Sequence, residues 1–172
     1  MRGLPVASAL DSAQMASFER VVDRQAQRLV RSLTSIFLDE QLAADAVQDA
    51  FIQLYKHWGE VTAKGDPDPW LYRVAVNRAS DYRRALTRAS RLFQRLVKTA
   101  PADPVCVDWV PRAEFMSMLS QLPTRQRTAA ALYYEADLSV AEIARVMEIS
   151  EGAVNSHLHR ARMALRKILE AT

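Results

Sequence analysis

The chain lacks most of what disulfide-bonded, membrane-spanning or secreted proteins need. Its 172 residues include one cysteine, Cys106, so an intrachain disulfide is excluded. No apolar run approaches the roughly eighteen residues that cross a bilayer. The first ten residues hold too few apolar side chains for the core of a signal peptide. These shortages predict a cytoplasmic protein that inserts no segment of its own into a membrane.

Glycine is also scarce, with four residues in all, and runs of β-branched residues, which would mark strands, are absent. Apolar residues recur instead at intervals of three and four, the spacing of one helix face. We therefore predict an all-α fold. The expected helices in the first part run from Ser12 to Leu33, from about Asp39 to Gly59, and from Pro69 to about Leu96 with Asp68 as the cap.

The composition changes between residues 99 and 111. This stretch contains three prolines and two aspartates and has no helical period, which is typical of a flexible linker. It divides the chain into two small helical domains, predicted to cover residues 12–98 and 112–172.

Constellations that carry catalysis or bind metal are missing as well. There is no glycine-rich phosphate loop and no nucleophile elbow. His157 and His159 are two residues apart on an expected helix, so they point to different sides and cannot form a ligand pair. Cys106 and the distant His57 do not complete a zinc site. The sequence predicts no enzyme, no metal and no cofactor.

The charges that are present lie in two blocks of opposite sign. Residues 39–68 hold seven acidic residues and two lysines, whereas residues 71–98 hold eight basic residues and Asp81 as the single acid. An acidic block beside a basic block indicates two partners of opposite charge, such as a basic protein surface and a nucleic acid.

Residues 138–169 have the pattern of a helix-turn-helix followed by a long basic helix. Ser139 and Glu142 form a capping box at the start of a short first helix. Residues 148–150 make the turn, and an ordinary helical hairpin with a solvated polar face is the alternative. The short first helix favours DNA binding, because in that motif it braces its partner against the DNA backbone. The exposed face of the second helix carries side chains that bond to bases and phosphates, namely Asn155, Ser156, His159, Arg160 and Arg162.

Several motifs in this order resemble one family, the extracytoplasmic-function (group 4) sigma factors of bacterial RNA polymerase. Together they span about residues 18–169. They are Asp45-Ala-Val-Gln-Asp-Ala-Phe51, Trp70-Leu-Tyr-Arg-Val-Ala-Val-Asn77, Asp81-Tyr-Arg-Arg84, Leu122-Pro-Thr-Arg-Gln-Arg127, Leu138-Ser-Val-Ala-Glu-Ile-Ala144 and Val154-Asn-Ser-His-Leu-His-Arg-Ala-Arg162. The resemblance implies a sigma-2-like helical bundle, a linker and a sigma-4-like helix-turn-helix domain.

The resemblance also implies partners and site residues. The partners are core RNA polymerase, through the clamp helices of its largest subunit and its flap, promoter DNA, and a cognate anti-sigma factor. Polymerase binding falls on Asp45, Gln48 and Asp49, which share one helix face; without the resemblance a solvated acidic face would be the simpler interpretation. The minus-ten element falls on Lys64, Gly65, Asp66, Arg73, Asn77, Asp81, Arg84 and Arg88. The minus-thirty-five element falls on Asn155, Ser156, His159, Arg160 and Arg162.

Some features of the chain depart from the family or admit another interpretation. Ala153, Asn155 and His157 stand where the family often has threonine or a cation, which leaves the promoter sequence open. Trp58 and Trp70 could stack on bases, but their helical spacing favours the core.

The rival functions are a sigma-mimic adaptor that never touches DNA and a one-component regulator that uses only the helix-turn-helix. Neither accounts for both the acidic and the basic helix.

Overall fold

The computed structural model describes residues 10–96 and 110–170, and over these ranges the chain forms helices and turns without strands. The all-α prediction is confirmed. The helices in the described ranges are α1 (Ser12–Phe37), α2 (Glu40–Lys56), α3 (Trp58–Thr62), α4 (Asp68–Leu96), α5 (Val110–Ser120), α6 (Thr124–Tyr134), α7 (Val140–Met147) and α8 (Glu151–Glu170).

Local capping sets several helix starts where the sequence predicts them. The Asp39 carboxylate accepts a hydrogen bond from the Leu42 backbone N–H at 2.9 Å and begins α2. Ser139 and Glu142 form the expected capping box at α7. The Ser150 hydroxyl accepts from the Ala153 N–H at 3.2 Å and begins α8. These helix starts are predictable because each capping side chain accepts a hydrogen bond from a backbone N–H only three residues later.

Helix ends differ from the prediction where burial decides them. α1 continues four residues past Leu33, because residues 32–37 are all buried. α2 stops at Lys56, and the short α3 follows because Trp58 and Val61 both pack in the core. The prediction that Asp68 caps the next helix is wrong. Asp68 is the first residue of α4, and its N–H donates to the Asp66 carboxylate at 3.1 Å.

The first half of the chain is a bundle of α1, α2 and α4. Small residues on α2 and α4 let these helices approach closely, and Leu29 and Leu33 of α1 fill the remaining space without exposure. The fully buried alanines at this contact are Ala43, Ala46, Ala50, Ala75 and Ala79.

The second half is built around α6, whose residues 127–132 are all buried. α7 and α8 pack against it and form the helix-turn-helix, with Glu148 in the left-handed conformation at the turn (φ 54°). A separate small cluster joins α5, α6 and α8 through Leu119, Ala130 and Ala161.

The two halves pack on each other rather than lying apart. α1 lies against α6, α4 lies against α7, and one hydrophobic cluster runs through both halves. Of the predicted linker, residues 99–109 lie outside the described ranges, and Val110 and Pro111 belong to α5. The structure thus adds a shared core to the predicted domain order.

Candidate functional site

An acidic groove lies between α2 and the middle of α4. It encloses about 610 Å³ and brings together all three residues expected to bind polymerase. Asp45 and Gln48 are exposed, and Asp49 is half-buried. The residues that line the groove are Asp39, Gln41, Leu42, Asp45, Gln48, Asp49, Tyr82, Ala85 and Leu86. Carboxylates and apolar side chains thus line the groove together, and the strongly exposed Leu86 is one of the apolar ones.

Asp49 and Tyr82 connect the two walls of this groove. The Tyr82 hydroxyl on α4 donates a hydrogen bond to the Asp49 carboxylate on α2, and this bond raises the pKa of Tyr82 above its ordinary value. Asp45 accepts a hydrogen bond from the Gln41 amide at 3.0 Å on its own helix. Asp49 is therefore hydrogen-bonded to α4, whereas the hydrogen bond of Asp45 stays within α2.

A basic stripe runs along the exposed side of α4. It consists of Arg73, Asn77, Asp81, Arg84 and Arg88, which are exposed. Their spacing of three and four residues puts them on one helix face. Arg84 pairs with Asp81 at 2.6 Å, with both side chains more than half exposed. The structure therefore brings these five minus-ten candidates onto one surface.

Arg83 and Arg84 are adjacent in sequence but face different surroundings. The Arg83 guanidinium lies 5.9 Å from the centre of the Phe37 ring, a cation–π arrangement within the first half. It is also close enough to Arg127 to lower the pKa of that buried group, secondarily to desolvation. Arg83 is exposed, but its guanidinium is directed toward Phe37 of α1 rather than along the basic stripe.

The loop of residues 63–67 joins α3 to α4 and carries the other minus-ten candidates. Lys64, Gly65 and Asp66 are all exposed. Gly65 has φ 122°, a conformation that disfavours any side chain. The Asp66 carboxylate caps the start of α4 through the Asp68 N–H. The loop therefore has a defined path and an open outer face.

One face of α8 carries the minus-thirty-five candidates. Asn155, Ser156, His159, Arg160 and Arg162 are exposed. On the opposite side Val154, Leu158 and Ala161 are buried, as the sequence pattern predicts. The five minus-thirty-five candidates thus share one exposed face.

His157 and His159 lie on different sides of α8. His157 is half-buried with no hydrogen-bond partner for its Nδ1, whereas His159 is exposed. In the part of the chain that the structure describes, no group of three or more His, Cys, Asp or Glu side chains could hold a metal ion.

Helix α7 is held at its start by charge-assisted hydrogen bonds. The Ser139 hydroxyl and backbone N–H donate to the Glu142 carboxylate at 2.6 and 2.8 Å. The hydroxyl's hydrogen bond is the main reason that the pKa of Glu142 lies below its ordinary value. This cap fixes where α7 begins relative to the turn before α8.

Sequence reasoning missed two residues of α1 that bind the start of α4. Arg24 donates to one Asp68 oxygen at 2.8 Å and Gln25 donates to the other. Burial raises the pKa of Asp68 above its ordinary value, against the lowering effect of Arg24. The available signal was Gln25 itself, a polar residue at the core spacing of Val21 and Leu29.

Among helices in residues 10–96 and 110–170, none combines the length and apolarity needed to span a membrane.

Two family models match the two halves of the chain. The model described as Sigma-70 region 2 matches residues 21–89. The model described as Sigma-70, region 4 matches residues 112–165. The acidic groove and basic stripe fall within the first match, and the minus-thirty-five candidates on α8 fall within the second.

Curated relatives are similar over most of their length. The ECF RNA polymerase sigma factor SigM of Bacillus subtilis strain 168 is 33% identical over 146 residues, covering 80% of this chain and 86% of that protein. The RNA polymerase sigma-E factor of Streptomyces coelicolor is 29% identical over 158 residues, covering 92% and 89%.

Solved structures share the arrangement of helices. CnrH in complex with the cytosolic domain of CnrY is similar with a TM-score of 0.68 and 26% identity, over 91% of this chain and 90% of that chain. The sigma factor RpoE in complex with the anti-sigma factor NepR from Bartonella quintana has a TM-score of 0.75 and 19% identity, over 90% and 97%. With both sigma-70 regions present and a relative of 33% identity along most of its length, the chain belongs to the extracytoplasmic-function sigma factors, the alternative sigma factors with which bacterial RNA polymerase initiates transcription.

Proposed function

We propose that this sigma factor docks on core polymerase through the acidic groove, reads the minus-ten element with the basic stripe and the 63–67 loop, and reads the minus-thirty-five element with α8. The observation that carries the proposal is the placement of the acidic groove and the basic stripe on the same helix, α4. Binding of α4's groove side to protein would present its arginine side to DNA.

The chemistry of the groove suits a basic amphipathic helix. Asp45 and Asp49 offer carboxylates that bind arginine through paired hydrogen bonds, and Leu86 adds apolar area to the same groove. The clamp helices of the largest polymerase subunit are the proposed partner. The second half of the chain would contact the flap of the polymerase and thereby place α8 upstream.

The basic stripe suits single-stranded or partly melted DNA. Arg73, Arg84 and Arg88 would bind phosphates, an interaction that weakens with salt. Asn77 and Asp81 carry the donor and acceptor groups that distinguish bases. Lys64, Gly65 and Asp66 would receive a base flipped from the duplex, whose extrusion costs a few kcal/mol that the pocket must offset.

On α8, Asn155, Ser156 and His159 would contact base edges in the major groove, with Arg160 and Arg162 beside them. The family often has cations at positions where this chain has Asn155 and His157. Fewer cations on this face should weaken phosphate binding and shift base preference.

We further propose a cognate anti-sigma factor that binds the same surfaces. Two of the similar structures are complexes, one of CnrH with CnrY and one of RpoE with the anti-sigma factor NepR. The acidic groove, with its exposed apolar Leu86, suits such an inhibitor as well as it suits polymerase. The protein itself would act in the cytoplasm without a cofactor, and the catalysis belongs to the polymerase.

Run-off transcription with purified core enzyme on a promoter library tests the proposal. Specific initiation at a pair of elements with a fixed spacing is the expected result. A sigma mimic would bind an anti-sigma factor but start no transcript. A one-component regulator would bind a DNA site without core enzyme and without a minus-ten requirement. Either of these outcomes would refute the proposal.

Arg160→Ala should weaken binding to the minus-thirty-five element and lower the salt slope of that binding by about 1, because one phosphate contact is lost. Fluorescence anisotropy with labelled duplex at several salt concentrations measures the slope. Arg20→Ala, an exposed cation of α1, is the matched control and should leave the slope unchanged. An unaltered slope for Arg160→Ala would remove that residue from the phosphate contacts.

A further inference from the structure

Two side chains of α1 hold the first residue of α4. Arg24 Nη2 lies 2.8 Å from one oxygen of the Asp68 carboxylate, and the Gln25 amide donates to the other oxygen. Gln25 is 3% exposed, so its hydrogen bonds form away from solvent. Both oxygens of Asp68 are thus bound by residues more than forty positions away in the chain.

The contact extends one step further into the core. The Tyr72 hydroxyl donates to the Gln25 carbonyl oxygen at 3.4 Å, so both ends of the Gln25 amide are used. Tyr72 is fully buried. A buried amide with both ends bonded has one orientation, because any rotation would leave a polar atom without a partner.

This clamp, defined as Arg24, Gln25, Asp68 and Tyr72, anchors one end of the exposed 63–67 loop. Asp66 accepts from the Asp68 N–H at 3.1 Å, so Asp66 is tied to the clamped residue. At the other end the Gly65 N–H donates to the Thr62 carbonyl at 3.2 Å. The loop is short and is bonded on both sides, while its outer face is open.

We propose that Arg24 and Gln25 are positioning residues for base recognition: by fixing Asp68 they set where Lys64, Gly65 and Asp66 meet an unpaired minus-ten base. This inference rests on the proposed function of the loop. A recognition site discriminates only when its groups are held within a fraction of an ångström of the bound geometry. Releasing Asp68 would leave the loop in place but let its contact groups drift.

The clamp could instead serve only to fasten α1 to α4. Base discrimination separates the two roles. If the clamp only fastens α1 to α4, its loss lowers the stability of the protein and reduces activity by the same factor on every promoter. A positioning defect lowers the ratio between the cognate base and the wrong bases while polymerase binding is kept.

The test measures open-complex formation by holoenzyme on promoters that differ at the captured minus-ten base. Arg24→Met, which keeps the apolar stem and removes the charge, should reduce discrimination about tenfold, within the range that one lost base contact spans. Arg24→Lys keeps a cation near Asp68 and should retain most of the discrimination. Arg20→Met, an exposed arginine one turn earlier on α1, is the matched control and should change nothing.

Gln25→Met is the second variant, because it keeps a similar volume and loses both hydrogen bonds. It should reduce discrimination at least as much as Arg24→Met, and thermal unfolding and affinity for core enzyme are recorded for each variant. Full discrimination by Arg24→Met and Gln25→Met would overturn the inference and leave the proposed function standing. Failure of the wild-type protein to initiate on any promoter would overturn the proposed function and this inference with it.

Discussion

Replacing Arg127 with methionine should lower the free energy of unfolding by about 3 kcal/mol, because backbone carbonyls that accept from a charged donor would lose it. Arg127 is 5% exposed. Its Nε donates to the Ile36 carbonyl at 2.9 Å, and its Nη1 donates to the carbonyls of Ser120 and Leu122 at 3.2 and 3.4 Å. Urea denaturation followed by circular dichroism gives the value.

Arg125→Met is the matched control, since Arg125 lies on the same helix and is exposed. Its effect should stay within about 0.5 kcal/mol. Equal unfolding midpoints for Arg125→Met and Arg127→Met would contradict the assignment.

This role of Arg127 lies beyond what the sequence could indicate. Arg125 and Arg127 stand two residues apart in the segment Thr-Arg-Gln-Arg, and no pattern separates the exposed one from the buried one. α6 is covered by α1, α7 and α8. The six consecutive residues 127–132 are therefore all buried, and the sequence of α6 shows no alternation of buried and exposed faces. A helix that is surrounded by other helices has no exposed face, so its sequence lacks the apolar periodicity from which a buried face is predicted.

Features decided within a few residues were predictable. The caps at Asp39, Ser139 and Ser150 formed as expected, as did the buried face of α8. The partner of Asp68 was not predictable, because Arg24 and Gln25 are more than forty residues away. In the sequence Asp68 follows turn residues and precedes a helical pattern, which is the local signature of a cap, yet α4 begins at Asp68 itself and its carboxylate bonds to α1.

The packing between the two halves was also hidden in the sequence. Residues 32–38 carry no charge, and Ser32, Thr34 and Ser35 are buried although they are polar. The Ser35 hydroxyl donates to Glu135 of the second half at 2.9 Å. The Ser32 and Thr34 hydroxyls donate to carbonyls of their own helix, so they identify no partner, and only the structure shows that Ser35 bonds to the turn after α6.

The candidate DNA-binding residues could be predicted more fully than the core, for a physical reason. A binding face must be exposed, and on a helix exposure follows from spacing once the buried face is known. That argument places Asn77, Arg84 and Arg160 correctly on exposed faces. Arg83 is exposed as well, yet its guanidinium lies over the Phe37 ring, because a long side chain can bend toward the core from the edge of a face.

Asp49→Arg should reduce affinity for core polymerase by roughly two orders of magnitude, because like charges facing each other across an interface cost several kcal/mol. The change would also remove the acceptor for Tyr82. Asp45→Arg reverses charge at an exposed groove position that makes no such contact with α4, and it should reduce affinity by a similar factor. Co-purification with core enzyme and competition against a labelled sigma factor measure the loss.

Two further variants separate docking from folding. Tyr82→Phe removes the hydrogen bond to Asp49 but keeps the carboxylate, so affinity for core enzyme should stay within a few-fold of the wild type. Asp23→Arg makes the same charge change on the exposed side of α1 and should bind normally. Equal binding of Asp45→Arg, Asp49→Arg and Asp23→Arg would show that polymerase docks elsewhere. Loss of binding in Tyr82→Phe would instead assign the effect to the shape of the groove, since its charge is unchanged.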